Sequence, residues 1–131
     1  MTAATGAFSG LSRIGQIAMI VHDLPRAVAF YRDVLGMRFL FEAPPKMAFF
    51  DCTGIRLMLS LPETEEFDHP GSIIYYTVED IQAAAAVLES RGVALDSPPH
   101  VVARLPHADL WMTFFRDPDS NVLAMMSEVT R

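Results

Sequence analysis

The order of apolar and polar positions divides this chain into segments of two distinct periods. Ile17 to Val21 is a short apolar, partly β-branched run and predicts a buried strand. Beyond it Leu24, Ala27, Val28, Phe30, Tyr31, Val34 and Leu35 recur at helical spacing, giving one apolar face and predicting a helix. Asp23 stands where a cap accepts from the free amides of the first turn, and Pro25 where a missing amide costs nothing. Gly36 stands where a left-handed residue ends the helix. Arg38 to Glu42 then reads as a strand that Ala43-Pro44-Pro45 breaks. Met47 to Asp51 and Ile55 to Leu61 read as a pair joined at Thr53-Gly54.

The pattern then repeats. Val78 to Ala84 echoes Val21 to Ala27 at an offset of 57 (78 − 21), and Met112 to Arg116 echoes Met47 to Asp51 at an offset of 65 (112 − 47). The second half predicts a strand over Ser72 to Val78, a helix over Asp80 to Arg91 stopped by Gly92, and a strand near Val93 to Asp96. Pro98-Pro99 interrupts, and His100 to Asp109 reads as an irregular loop with some extended character. A hairpin of Leu110 to Arg116 and Asn121 to Glu128 closes through Asp117-Pro118-Asp119-Ser120-Asn121, where proline fixes φ and the Asx side chains bond to backbone. The acidic stretch from Pro62 to Gly71 links the halves. The expected organisation is a loose tail over 1–12 and one domain over 13–131. That domain is an α+β fold of two tandem βαβββ repeats, at about 14–61 and 72–129.

Composition narrows the class. A chain of 131 residues, 51% hydrophobic and 20% charged, buries a substantial core as one domain. A net charge of −6 offers no basic surface for a phosphate backbone, so no nucleic-acid partner is expected. The single Cys52 excludes an internal disulfide and fits a reducing compartment. No apolar run reaches membrane-spanning length, and Met1 to Ser12 lacks the features of a secretory signal. The expected location is cytoplasmic.

Two motifs carry a resemblance. The pattern Val21-x-Asp23-Leu24-x-x-Ala27-x-x-Phe30-Tyr31-x-x-x-Leu35-Gly36 and the Asp117-Pro118-Asp119 turn with its flanking strands resemble the vicinal-oxygen-chelate superfamily. That superfamily includes glyoxalase I, bleomycin-resistance proteins and extradiol dioxygenases, and the resemblance spans Ile14 to Val129. It implies that each repeat contributes a curved mixed sheet, that two sheets enclose a pocket, and that a single-module chain is a homodimer. It leaves the activity open, because the superfold hosts isomerases, lyases, dioxygenases, epimerases and plain binders.

In metal-using relatives the first and last strands of each repeat carry His, Gln or Glu ligands. The resemblance carries those positions to Gln16, Met58, Ile73 and Ala124. Only Gln16 offers an oxygen; the Met58 thioether suits Cu(I) rather than Zn, Ni, Mn or Fe(II), and a catalytic metal normally keeps about three protein ligands. A one-residue slip at Ile73 brings only the Ser72 hydroxyl. No cofactor is expected, the alternative being one of those divalent ions held in another register. Ile20 stands where glyoxalase I relatives often hold a glutathione carboxylate with Arg, so lactoylglutathione lyase activity is not expected.

Among groups able to act as acid or base, His22 reads as an exposed boundary residue and His69 lies in the acidic link. His100 and His107 flank Arg104, either as surface cations of a loop or as a cluster for a polar or anionic ligand. Tyr75, by parity with Ile73, faces the pocket side. Met47, Met58, Met112, Met125, Met126, Phe49 and Phe114 either line an adaptable apolar pocket or pack the core, and Trp111 either stacks on a ligand or anchors the core. Cys52 has no neighbouring base, and Asp117 and Asp119 belong to the turn. The leading expectation is a metal-free binder of a small, largely apolar or aromatic molecule. Its pocket comprises Gln16, Met58, Tyr75, His100, Met112, Phe114, Ala124 and Met126. The alternatives are a metal-dependent lyase, isomerase or dioxygenase using Gln16 with His100 or His107, and a metal-free enzyme using either histidine with Tyr75.

Overall fold

A computed structural model describes residues 8, 10–43 and 45–131. The expected tail over 1–12 therefore falls largely outside the described residues, as does Pro44 of the predicted break. The first repeat runs β1 (Gln16–Ile20), α1 (Leu24–Ala29), β2 (Arg38–Ala43), β3 (Met47–Cys52) and β4 (Ile55–Ser60). The second runs β5 (Ile74–Thr77), α2 (Ile81–Ser90), β6 (His100–Arg104), β7 (Ala108–Arg116) and β8 (Val122–Thr130). Each repeat builds its own four-stranded mixed sheet, in the orders β1-β4-β3-β2 and β5-β8-β7-β6. The first strand of each lies parallel to the last, and the remaining pairs are antiparallel. This is the α+β arrangement that the duplicated pattern predicts.

Local chemistry explains the helix starts. Asp23 and Asp80 are both extended, and each side chain accepts from the amide three residues on, Arg26 and Ala83 respectively, at 3.1 Å. The β3–β4 turn takes positive φ at both Thr53 (52°) and Gly54 (92°), the backbone that a two-residue hairpin prefers.

Three expectations need correction. The first helix does not stay α-helical to Gly36: from Phe30 to Val34 it widens into a π turn before Gly36 ends it at φ 73°. The wider turn leaves Tyr31 fully buried. No strand forms over Val93 to Asp96. Instead Asp96 N–H donates to Phe114 O at 2.8 Å and Thr113 Oγ1 donates to Ser97 O at 2.7 Å, which brings this stretch alongside β7. Pro98 and Pro99 have no amide to donate, so a regular ladder begins only at His100. The predicted loop over His100 to Asp109 is accordingly β6, a turn and the start of β7, with a bulge between Val101 and Ala103.

One core lies between the sheets. Met19, Leu57, Leu59 and Phe50 from the first sheet meet Phe115, Leu123 and Met125 from the second, with α1 and α2 supplying Leu24, Val28, Ile81, Ala85 and Leu88. The repeats are also joined by polar contacts. Tyr31 Oη donates to Asp117 Oδ2 at 2.8 Å, Asn121 Nδ2 donates to Ile20 O at 3.0 Å, and Arg91 Nη1 donates to Val34 O at 2.8 Å. Alternation along every strand then turns the other face of each sheet away from this shared core.

Candidate ligand-binding faces

Strand register sorts the candidate residues. On the outer face of the first sheet, three cross-strand rows follow from the pairing. Arg38, Asp51, Arg56 and Gln16 form one; Phe41, Phe49, Met58 and Ala18 the next; Ala43, Met47, Ser60 and Ile20 the third. On the outer face of the second sheet, Tyr75, Ala124 and Phe114 share a row, and Thr77, Met126, Met112 and His100 share its neighbour. All eight expected pocket residues thus lie on outer faces, two on the first sheet and six on the second. Within one chain they do not form one pocket, because each sheet gives its opposite face to the core.

The equivalence of the two sheets is visible in the same pairing. Ala18 pairs Met58 where Tyr75 pairs Ala124, so Gln16 corresponds to Ile73 and Met58 to Ala124. The four family ligand positions therefore hold an amide, a thioether and two hydrocarbons. Among the described residues no group of three or more His, Cys, Asp or Glu is arranged to hold a metal ion. The donor set does not fit a hard or borderline divalent cation.

Apolar side chains stand open on parts of both faces. Phe41 (47%), Ile73 (42%) and Tyr75 (45%) are exposed well beyond what core side chains show. Rings pair along both faces: Phe41 lies 4.7 Å from Phe49, centroid to centroid, and Tyr75 meets Phe114 edge-on at 5.9 Å. A cleft of about 260 Å³ lies over Met58, walled by Ala18, Ile20, Met47 and Ser60 and by Phe67 from the link between repeats. Another, of about 430 Å³, lies beside Met126 and Thr77. Elsewhere, a crevice of about 620 Å³ passes between the repeats by Arg38, Thr53, Tyr75 and Tyr76. A cleft of about 310 Å³ opens on the helix side beside Met37, Tyr76 and Leu88.

The remaining expectations divide. His100 sits on the outer face opposite Met112, its Nδ1 2.9 Å from Pro98 O. His107 lies exposed in the β6–β7 turn, at the far end of β6. The bulge in β6 pairs Arg104 with Asp109, on the face opposite to His100, so the expected His-Arg-His cluster is dispersed. Met125 and Trp111 pack on the core side rather than the outer face. Cys52 lies against Met37 Sδ at 3.7 Å, and burial raises its thiol pKa, which disfavours the thiolate that a nucleophile needs.

Two features escaped the sequence reading. His22 is exposed but not solitary: Nε2 lies 2.8 Å from Asp68 Oδ1, Nδ1 lies 3.2 Å from Asp119 Oδ1, and its backbone amide donates to Asp119 at 2.8 Å. The bond to Asp68 is the main cause of a raised imidazole pKa. Arg56 stands on the outer face beside Gln16, donating from Nε to Gln16 Oε1 at 2.8 Å. The alternation of Arg56 with Leu57 was the available signal, but its partner lies 40 positions away in a parallel strand.

Comparison with known proteins agrees with this architecture. Residues 13–125 match the model of the Glyoxalase/Bleomycin resistance protein/Dioxygenase superfamily, and the chain belongs to that superfamily. It is 29% identical to an uncharacterized protein, YraH, of Bacillus subtilis, over 82% of this chain and 92% of that one. It resembles the crystal structure of a superfamily member from Sphaerobacter thermophilus, with a TM-score of 0.73 and 28% identity over 90% and 98% of the two chains. It also resembles a lactoylglutathione lyase from Agrobacterium tumefaciens, with a TM-score of 0.73 and 24% identity over 90% and 95%, a likeness of fold alone. No described helix is long and apolar enough to cross a membrane.

Proposed function

We propose that this chain binds a small, largely apolar or aromatic molecule, without a resident metal, in a cup closed by two copies of the chain. One observation carries the reading: the positions where metal-using relatives place ligands hold Met58, Ile73 and Ala124 beside Gln16, on outer faces where Phe41, Ile73 and Tyr75 stand exposed. Met58 and Ile73 supply contact area in place of charge, and the flexible thioethers of Met47, Met58, Met112 and Met126 adapt to a ligand's outline. A second copy supplies what one chain lacks, a second face opposed to the first. Strands β1 and β5, each paired on one side only among the described strands, give it edges to approach.

Two measurements test the reading. Light scattering at micromolar concentration should return twice the chain mass, and a strictly monomeric mass contradicts the shared cup. A thermal-shift screen of small aromatic molecules should yield a saturable rise in Tm that Phe114→Glu abolishes. Uniform silence across the screen contradicts binding.

A further inference from the structure

The row Arg38, Asp51, Arg56 and Gln16 borders the apolar row Phe41, Phe49, Met58 and Ala18 on the outer face of the first sheet. Arg56 is held there by two contacts. Its guanidinium carbon lies 5.2 Å from the centroid of Phe49, whose ring is almost wholly buried, and its Nε donates to Gln16 Oε1 at 2.8 Å. Gln16 in turn directs its Nε2 to Met58 Sδ at 3.8 Å. A guanidinium carries five N–H donors, and Gln16 takes one. Those on Nη1 and Nη2 have no hydrogen-bond acceptor among the described residues. Asp51 stands opposite Arg56 but forms no ion pair with it among the described residues; its Oδ1 accepts from Gly54 N–H at 3.2 Å. Arg38, opposite Asp51 on its other side, gives the row two cations for one acid.

We propose that Arg56 makes the cup selective for aromatic carboxylates, holding the carboxylate on its free Nη groups while the ring lies over Met58 and Ala18. This rests on the binding reading above and names the ligand class. The planar fork of a guanidinium matches two carboxylate oxygens at once, and the Phe49 and Gln16 contacts fix that fork before a ligand arrives. The apolar row one strand step away receives the ring. A chain of net charge −6 repels anions in general, so a fixed local cation decides which of them settle.

Calorimetric titration of 2-naphthoate and its neutral isostere 2-naphthamide tests the proposal, on the wild type, Arg56→Gln, Arg56→Lys and Ala18→Trp. In the wild type the acid should bind about tenfold more tightly than the amide, the scale of a charge-assisted bidentate contact. Arg56→Gln should erase that preference by weakening the acid about tenfold more than the amide, and Arg56→Lys should restore only part of it. Ala18→Trp, which fills the exposed ring-binding row, should weaken both compounds. Equal binding of acid and amide by the wild type, or equal weakening of both in Arg56→Gln, overturns the role of Arg56 while the cup stands. Absence of binding by either compound, or indifference of both to Ala18→Trp, overturns the cup and this inference with it.

Discussion

The hydroxyl of Tyr31 donates to the carboxylate of Asp117 at 2.8 Å, across 86 positions of sequence, and joins the first helix of one repeat to the closing turn of the other. Asp117 is buried and accepts from three further donors, the amides of Asp119 and Asn121 and the Asn121 side chain, all at 2.9 Å. The turn is thereby shaped from within and fastened from outside. Burial and the adjacent carboxylate raise the Tyr31 pKa, so the phenol is a permanent donor.

Tyr31→Phe should therefore destabilise the fold without altering its core shape. The expected cost is about 1 kcal/mol, at the low end of the range for a buried acceptor losing one partner, because Asn121 Nδ2 still reaches the same oxygen. Asp117→Ala, which strands four donors, should cost several times more. Thermal and urea denaturation of the two variants check the order, and an Asp117→Ala no worse than Tyr31→Phe would contradict it.

A second junction between the repeats gives stability a pH dependence. His22 pairs with Asp68 in the link and with Asp119 in the turn, and those two carboxylates raise its folded pKa above 6.5. A raised pKa means that the protonated form is favoured by folding. The contribution is fully present below the unfolded value of 6.5 and fades as pH rises through the folded value. The Tm gap between wild type and His22→Gln should be larger at pH 5.5 than at pH 9, and added salt should shrink it because the imidazole is exposed. A gap that widens with pH would reverse the assignment.

Local signals in the sequence were sufficient where a residue acts on its own neighbourhood. Asp23, Asp80, Gly36 and the Thr53-Gly54 turn all do in the structure what their chemistry predicts. The 57-residue echo carries Gln16 to Ile73, and the match of Leu57-Met58-Leu59 to Leu123-Ala124-Met125 carries Met58 to Ala124, pairs that occupy equivalent sites of the two sheets. What stayed hidden depends on chain brought together from afar. The π turn leaves Tyr31 bonded to a residue of the other repeat; His22 meets partners 46 and 97 positions away; Arg56 reaches Gln16 only through a parallel pairing. Strand β6 was misplaced because Pro98 and Pro99 shift the ladder without changing the apolar pattern that precedes them.

The β3–β4 turn holds a residue that its backbone does not favour. Thr53 adopts φ 52°, a left-handed conformation that a β-branched side chain resists and asparagine tolerates. Thr53→Asn should stabilise the protein by about 0.5–1 kcal/mol, raising Tm by a few degrees. Thr53→Val keeps the branch and should give no gain, which separates relief of strain from any effect of the lost hydroxyl. Equal stabilisation by both variants would place the cause elsewhere.

Metal binding supplies the remaining prediction. Of the four positions that carry ligands in metal-using relatives, only Gln16 has an oxygen, and that oxygen already accepts from Arg56 at 2.8 Å. A divalent ion approaching Gln16 would lose this acceptor to a guanidinium and meet a fixed positive charge beside it. Met58, Ile73 and Ala124 offer no anionic donor to offset the repulsion. After EDTA treatment, titration with Zn, Ni, Mn or Fe(II) should leave Tm unchanged. An ion bound to the folded state at about a hundred times its dissociation constant would add roughly 2.7 kcal/mol, a shift of several degrees for a domain of this size. A saturable shift of that order with one ion would mean that Gln16 exchanges Arg56 for the metal. Arg56→Gln should then deepen the shift by removing the competing charge. No shift in either protein leaves the outer faces to organic ligands.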